Sequence, residues 1–223
     1  MQPLCDVIAV AARPSPLSLV QVEEVREELE RCSEHVAFDV VTIETVGDRD
    51  RTTSLRTMEK TDFFTHEIDK SLFDGRCRIA IHSAKDLPDP LAIGLQLVAL
   101  TRGVDSSDVL VLSKGVVESA LNDERIVVAT SSQRREDVVR ESYPRLRFCD
   151  VRGNVGERIA QLDAGKFDAL VVAMAALIRL GLCEELNTVP LPGETASGQG
   201  RLAVVAREGD REMEELFQQI DVR

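Results

Sequence analysis

The chain has 223 residues, enough for one large domain or two modest ones with separate cores. Its 43% apolar and 30% charged content is ordinary for a globular protein. With 39 acidic against 27 basic residues the net charge is −12, which argues against a nucleic-acid or anionic-membrane surface. Five cysteines (Cys5, Cys32, Cys77, Cys149, Cys183) show no CxxC or metal-type spacing and read as reduced thiols, so no metal site is expected. The N-terminus lacks a basic and apolar leader, and no apolar run approaches about 18 residues. A cytoplasmic protein without a membrane span is expected.

Strands and helices alternate along the chain. Val7 to Ala11 reads as a short strand, and Ser15 caps a helix with Pro16 in its first turn. Leu17, Leu19, Val20, Val22, Val25 and Leu29 supply that helix's apolar stripe. Val36 to Ile43 is a second strand. Gly47 to Thr61 is polar and without a stable period, so a mobile loop is expected. Phe63 to Phe73 predicts a helix stopped by Gly75, Ile79 to His82 a buried strand, and HSAKDLPDP a loop beyond it.

Strands at Leu95–Leu100 and Val109–Leu112 flank TRGVDSSD, a crossing between domains. The units that follow are strand Ile126–Ala129, helix Ser132–Ser142, strand Leu146–Val151, helix Val155–Ala164, strand Ala169–Ala173 and helix Ala175–Leu180. TVPLPGETASG, with two prolines and small polar residues, reads as a second crossing. A strand at Leu202–Ala206 and a helix at Arg211–Ile220 complete the chain. This rhythm predicts an α/β protein of two doubly wound, parallel-sheet domains with a cleft between them and ligands at the carboxyl ends of strands. The first domain comprises residues 1–101 plus 199–223, the second 105–194.

The segment Ala129–Arg158 carries the strongest chemical signal. It places Arg134 and Arg135 in the first turn of one expected helix, and Arg152 and Arg158 around the start of another. Helix N-termini attract anions, and basic residues there oppose the macrodipole. A ligand rich in carboxylates or phosphates would explain them. Lys85 and Asp86 follow a buried strand at a carboxyl edge, where a carboxylate could hold a cationic or N–H-bearing group; alone, such a pair is ordinarily a solvated loop. Arg13 and Ser15 stand at another such edge, and by themselves read equally as a surface arginine before a helix cap. GQG (198–200) suits close backbone approach or a plain turn. His82 reads as a hydrogen-bonded core residue. HExxH, GxSxG, P-loop and GxGxxG motifs are absent from the sequence.

Taken in order, ARPSPLSLVQ, IAIHSAKDLP, ATSSQRR, VRGNVGERIAQLDAGKFDALVVA, IRLGL and GQGRLAV resemble the porphobilinogen deaminase (hydroxymethylbilane synthase) family from about residue 7 to residue 217. HSAKD, TSSQRR and RGNVGER are specific to it. The resemblance implies two lobes similar to type II periplasmic-binding-protein folds. It also implies head-to-tail condensation of four porphobilinogen molecules into linear hydroxymethylbilane, with release of ammonia, on a dipyrromethane primer. Asp86 matches the catalytic aspartate, which holds pyrrole N–H groups and stabilises the cationic azafulvene. Arg13, Ser15, Lys85, Ser132, Arg134, Arg135, Arg152, Arg158 and Gln199 match cofactor-binding positions. Arg13, Arg152, Arg158 and Arg179 match substrate-binding ones. Each pyrrole carries an acetate and a propionate, which accounts for the arginines.

The chain departs from the family in three places. The family's third, carboxyl-terminal domain and its primer-anchoring cysteine have no counterpart, and none of the five cysteines falls on a matching position; Cys149 is put by alternation on the face opposite Asp150 and Arg152. Attachment of dipyrromethane is therefore open, covalent or noncovalent. Thr57 and Thr61 stand where relatives carry loop lysines, with Lys60 only nearby, and Val46 stands where an arginine is common. The expected protein is a monomeric deaminase that takes porphobilinogen and engages neither nucleic acid nor membrane. The alternative is a noncatalytic two-lobed binding protein for a pyrrole, tetrapyrrole or other small polycarboxylate, and a third reading has a separate partner supplying the missing domain.

Overall fold

The computed structural model describes residues 7–32, 36–50, 53–54, 56 and 62–223. The chain divides into one unit of residues 1–49, 60–104 and 200–223 and another of residues 50–59 and 105–199.

The first unit is built on β1 (Ile8–Ala12), α1 (Pro16–Glu30), β2 (Phe38–Thr42), α2 (Val46–Arg49), α3 (His66–Phe73), β3 (Ile79–Ser83) and β4 (Leu95–Leu100). The second contains β5 (Asp108–Leu112), β6 (Val127–Ala129), α4 (Gln133–Ser142), β7 (Arg147–Cys149), α5 (Val155–Asp163), β8 (Ala169–Ala173), α6 (Met174–Arg179) and β9 (Asn187–Leu191). The chain then returns to the first unit with β10 (Leu202–Arg207) and α7 (Arg211–Phe217).

The two sheets share one plan. The first has the order β2-β1-β3-β10-β4 and the second β7-β6-β8-β5-β9. In each, four strands share one direction, β2, β1, β3 and β4 in the first and β7, β6, β8 and β9 in the second, the first three of each as adjacent parallel neighbours. The strand that enters just after a crossing, β10 or β5, lies antiparallel to both of its neighbours. The sheets are thus mixed rather than purely parallel.

Both faces of each sheet are covered, and strand alternation divides the core accordingly. On β3, Ile79 and Ile81 face the cluster formed with Val22, Val25 and Leu29 of α1 and Met213 and Phe217 of α7, while Ala80 faces Ile68 and Leu72 of α3. On β8, Ala169 and Val171 join one cluster with Val139 of α4, and Leu170 and Val172 another with Leu162 of α5 and Leu177 of α6. Each fully buried Leu, Ile or Phe contributes about 1.5–3 kcal/mol through removal from water.

Three local expectations are corrected. Leu19 is 41% exposed, while Ser18 and Gln21 are buried on the face of α1 towards the sheet. Ser18 is buried because its hydroxyl accepts the Arg13 N–H, and Gln21 because its amide reaches Ser83. The second crossing contains a strand, β9, with Val189 and Leu191 buried and Pro190 exposed. An edge strand hydrogen-bonds on one side only, so it tolerates a proline that would break a central one. Of the expected 47–61 loop, Gly47 to Arg49 belong to the one-turn helix α2; residues 51–52, 55 and 57–61, including the positions Thr57, Lys60 and Thr61, lie outside the described residues. Among the described residues no helix is long and apolar enough to cross a membrane.

Candidate active site

Asp86 sits in a single 3-10 turn, Ala84–Asp86, that directly follows β3, with its side chain exposed. It lines a pocket of about 70 Å³ together with Arg13, Ser15, His82 and Thr65. Arg13 follows β1 directly, and β1 and β3 are parallel neighbours, so their carboxyl ends bring Arg13 and Asp86 to one edge of the first sheet. Lys85 shares the turn with Asp86.

The guanidinium of Arg13 is held in place before any ligand arrives. It donates from Nε and Nη2 to Asp48, its Nε–Oδ1 distance being 3.1 Å, and lies 4.5 Å over the Phe64 ring. Burial raises the Asp48 carboxyl, but the bonds and charge of Arg13 and the donors of Thr45 outweigh it and hold Asp48 below the usual carboxylate range. Ser15 caps α1 by accepting the Ser18 N–H at 3.2 Å, so its hydroxyl has a local task as well.

His82 differs from its expected role. It is 7% exposed, and its Nε2 has no hydrogen-bond partner; the same holds for the Thr65 hydroxyl on the same pocket. Burial lowers the His82 pKa to about 4, with Asp86 opposing and Arg13 adding to the shift. The imidazole is neutral at pH 7.

In the second unit, Ser132 caps α4 and Arg134 and Arg135 occupy its first turn, as expected. Both arginines close on Asp108. Arg134 Nη2 donates to Oδ2 at 2.7 Å, and Arg135 donates from Nε at 3.0 Å and Nη2 at 2.7 Å to Oδ1. Gln199 donates to the same Oδ1 at 3.0 Å and to the backbone oxygens of Ser106 and Ser107. Asp108 is 2% exposed. Burial raises its carboxyl, yet the charge and bonds of Arg135 and Arg134 leave it below the usual range. A ligand is therefore not the sole reason for two arginines at this helix start: they neutralise a buried carboxylate. No sequence signal marked Asp108.

Arg152 and Arg158 bracket a second turn. Gly153 has φ +105, Asn154 and Glu157 form a reciprocal capping box on α5, and Arg158 Nε donates to Gly153 O at 2.7 Å. Arg152 reaches the Asp50 carbonyl. Arg179 lies in the last turn of α6, a helix length away from the strand end that starts it. Another residue passed over in the sequence, Arg56, donates to Thr130 O at 3.1 Å and pairs with Glu136 at 2.6 Å. Of the cysteines, Cys77 is buried, Cys32 and Cys183 are exposed, and Cys5 lies outside the described residues. Cys149 packs partly into the core, and burial pushes its thiol up, which disfavours the nucleophilic thiolate.

The donor set suits a pyrrole carrying carboxylates. Two guanidiniums against one buried carboxylate leave the Arg134–Arg135–Asp108 cluster one positive charge in excess, beside helix N–H groups that favour an anion. Arg13, with Asp86 beside it, offers a cation for a carboxylate and a carboxylate for ring N–H groups.

Residues 8–215 match the family model described as porphobilinogen deaminase, dipyromethane cofactor binding domain. The chain is 38% identical over 215 residues to the porphobilinogen deaminase of Gloeobacter violaceus, covering 94% of this chain and 66% of that protein. It is 37% identical to that of Schizosaccharomyces pombe, covering 96% and 67%. A probable porphobilinogen deaminase of Chlamydia muridarum is 38% identical, with 94% and 85% covered. The chain thus spans about two thirds of the length of the first two relatives. In fold it is similar to an amino acid ABC transporter substrate-binding protein from Streptococcus pneumoniae, with a TM-score of 0.53 at 14% identity and 96% and 85% of the chains covered. It is also similar to the LysR-family regulator CbnR, with a TM-score of 0.59 at 10% identity and 96% and 68% covered. Those likenesses concern fold alone.

Proposed function

Because this chain belongs to the porphobilinogen deaminase family, we propose that it acts as a hydroxymethylbilane synthase. Four porphobilinogen molecules and one water become linear hydroxymethylbilane and four molecules of ammonia. The observation that carries this reading is the family match over residues 8–215, which includes every residue given a role below.

The matched segment is the dipyrromethane-binding part of the family, and that group supplies the pyrrole carbon to which the first substrate ring is joined. Arg134, Arg135, Arg152 and Arg158, with Ser132 and Lys85, hold the primer's carboxylates, and Gln199 contributes through Asp108, to which its amide is committed. Arg13 and Arg179 take those of the incoming substrate, Arg152 and Arg158 serve it as well, and Arg13 and Ser15 also contribute to holding the primer. Each well-formed charge-assisted bond contributes about 1.5–3 kcal/mol. Asp86 accepts from pyrrole N–H groups and faces the positive charge that develops on the ring as ammonia leaves. A fixed carboxylate at that place lowers the barrier, while fixed guanidiniums keep the acetate and propionate groups apart from it.

The test follows porphobilinogen consumption together with intact-protein mass under native and denaturing conditions. The wild-type chain should consume porphobilinogen and gain mass in single pyrrole units. Asp86→Asn, exposed and outside the core, should keep the fold by circular dichroism and lose at least about a hundredfold in turnover, the range for one electrostatic or acid–base group. Unchanged turnover in the variant removes Asp86 from the chemistry. Binding of porphobilinogen without consumption by the wild type would instead make this a binding protein.

A further inference from the structure

Asp108 is the first residue of β5, and β5 runs antiparallel to β8, with Asp108 opposite Ala173 at the carboxyl end of β8. This reversal brings a residue from the start of a strand to the edge where parallel strands end and where α4 begins. There its carboxylate receives three side chains distant in sequence, Arg134, Arg135 and Gln199. At 2% exposure it is removed from water, and both oxygens are occupied.

The geometry points to Asp108 as a positioning residue for carboxylate recognition by the second unit. Its two oxygens set the planes of two guanidiniums that would otherwise repel each other; Arg134 is held as well by the Glu194 backbone oxygen at 2.6 Å, whereas the Arg135 guanidinium rests on Asp108 through both Nε and Nη2. The pair of charges it leaves uncompensated by one is presented in a set orientation at the α4 N-terminus. Gln199, which also binds two backbone carbonyls at the start of β5, ties the carboxylate to the chain. Fixing donors before a ligand binds lowers the entropic cost of binding. Asp108 itself is covered by its partners and touches no ligand. This inference rests on the reading of Arg134 and Arg135 as carboxylate binders; it deepens that reading by naming what orders them.

The experiment uses the full chain with two substitutions. Asp108→Asn keeps the shape and removes the charge; Asp108→Glu keeps the charge and displaces it by one methylene. Binding of porphobilinogen and of propane-1,2,3-tricarboxylate is measured by calorimetry, and the arginine Nε–H resonances by NMR. In the wild type the Arg135 Nε–H should give a sharp, slowly exchanging signal, and in both variants it should broaden or vanish. Loss of one charge-assisted bond corresponds to about tenfold or more in affinity, and that weakening is expected for the tricarboxylate, which stands in for the primer's carboxylates that Arg134 and Arg135 hold. Porphobilinogen, taken by Arg13 and Arg179, is the control and should keep its affinity. If Asp108→Asn fails to fold, Asp108→Glu decides alone. A purely structural role would lower the unfolding temperature and leave the tricarboxylate affinity unchanged, and that result overturns the inference, as does a wild type that does not bind the tricarboxylate. A wild type that binds the tricarboxylate through Asp108 without consuming porphobilinogen upholds Asp108 and refutes the deaminase reading.

Discussion

His82 shows how a single residue can set the pH response of this protein. Its motif neighbours Lys85 and Asp86 drew attention in the sequence, whereas the imidazole read as a satisfied core group. Burial without a partner for Nε2 instead lowers its pKa from 6.5 to about 4. The folded state therefore excludes a proton that the unfolded chain takes up below pH 6.5. Stability should be unaffected by this group above pH 6.5 and decline progressively as the pH falls towards 4, by up to about 3 kcal/mol. Asp48 and Asp108 respond in the same direction, because their lowered pKa values withdraw their contributions as the pH falls, but over the carboxylate range below that of His82. With no tryptophan and one tyrosine in the chain, unfolding is best followed by circular dichroism. His82→Gln should flatten the slope between pH 6.5 and 4.5; an unchanged slope would assign it to other groups.

At the level of elements, local rules succeeded where local chemistry decides. Ser15 caps the helix it was read to cap, and Ser132, read as the start of its helix, and Asn154 cap α4 and α5, because a hydroxyl or amide oxygen before a helical run satisfies otherwise open N–H groups. Gly153 is the sharpest case. A Cβ there would lie 2.7 Å from Glu157 Oε2 and 3.0 Å from its Cβ, at a φ of +105 that side chains rarely adopt. Gly153→Ala should break the Asn154–Glu157 capping box and cost about 2–3 kcal/mol from the lost cap and backbone strain. Gly165→Ala, at φ +70 with open space around it, should cost about 1–2 kcal/mol. Equal losses in thermal unfolding would show that the Glu157 contact is unimportant. Elements whose identity depends on neighbours were harder to read. Strand β9 was missed because Pro190 and Pro192 suggest a loop, and only the position at a sheet edge makes that segment a strand.

Across the whole molecule, the first unit is assembled from both ends of the chain. Phe217, near the C-terminus and fully buried, packs in the same cluster as Ile8 and Val10 near the N-terminus. Phe217→Ala should cost about 3–5 kcal/mol through lost burial and the cavity left behind. Hydrogen exchange should show the loss in β1, β3 and β10, and unchanged protection there would mean that α7 contributes little to this core. Alternation of apolar runs, helix caps and the motifs HSAKD, TSSQRR and RGNVGER were enough to indicate two α/β sheets and the family resemblance, since each depends on neighbours within a few positions; the cofactor and most candidate site residues are what that resemblance implies. Strand direction was not available from those patterns: a buried strand reads the same whether it runs parallel or antiparallel. The antiparallel setting of β5 is what carries Asp108 to the site edge, opposite Ala173 and onto Arg134, Arg135 and Gln199. Local sequence determined which residues could bind carboxylates; tertiary structure decided what holds them, because those contacts join positions 26 to 91 residues apart.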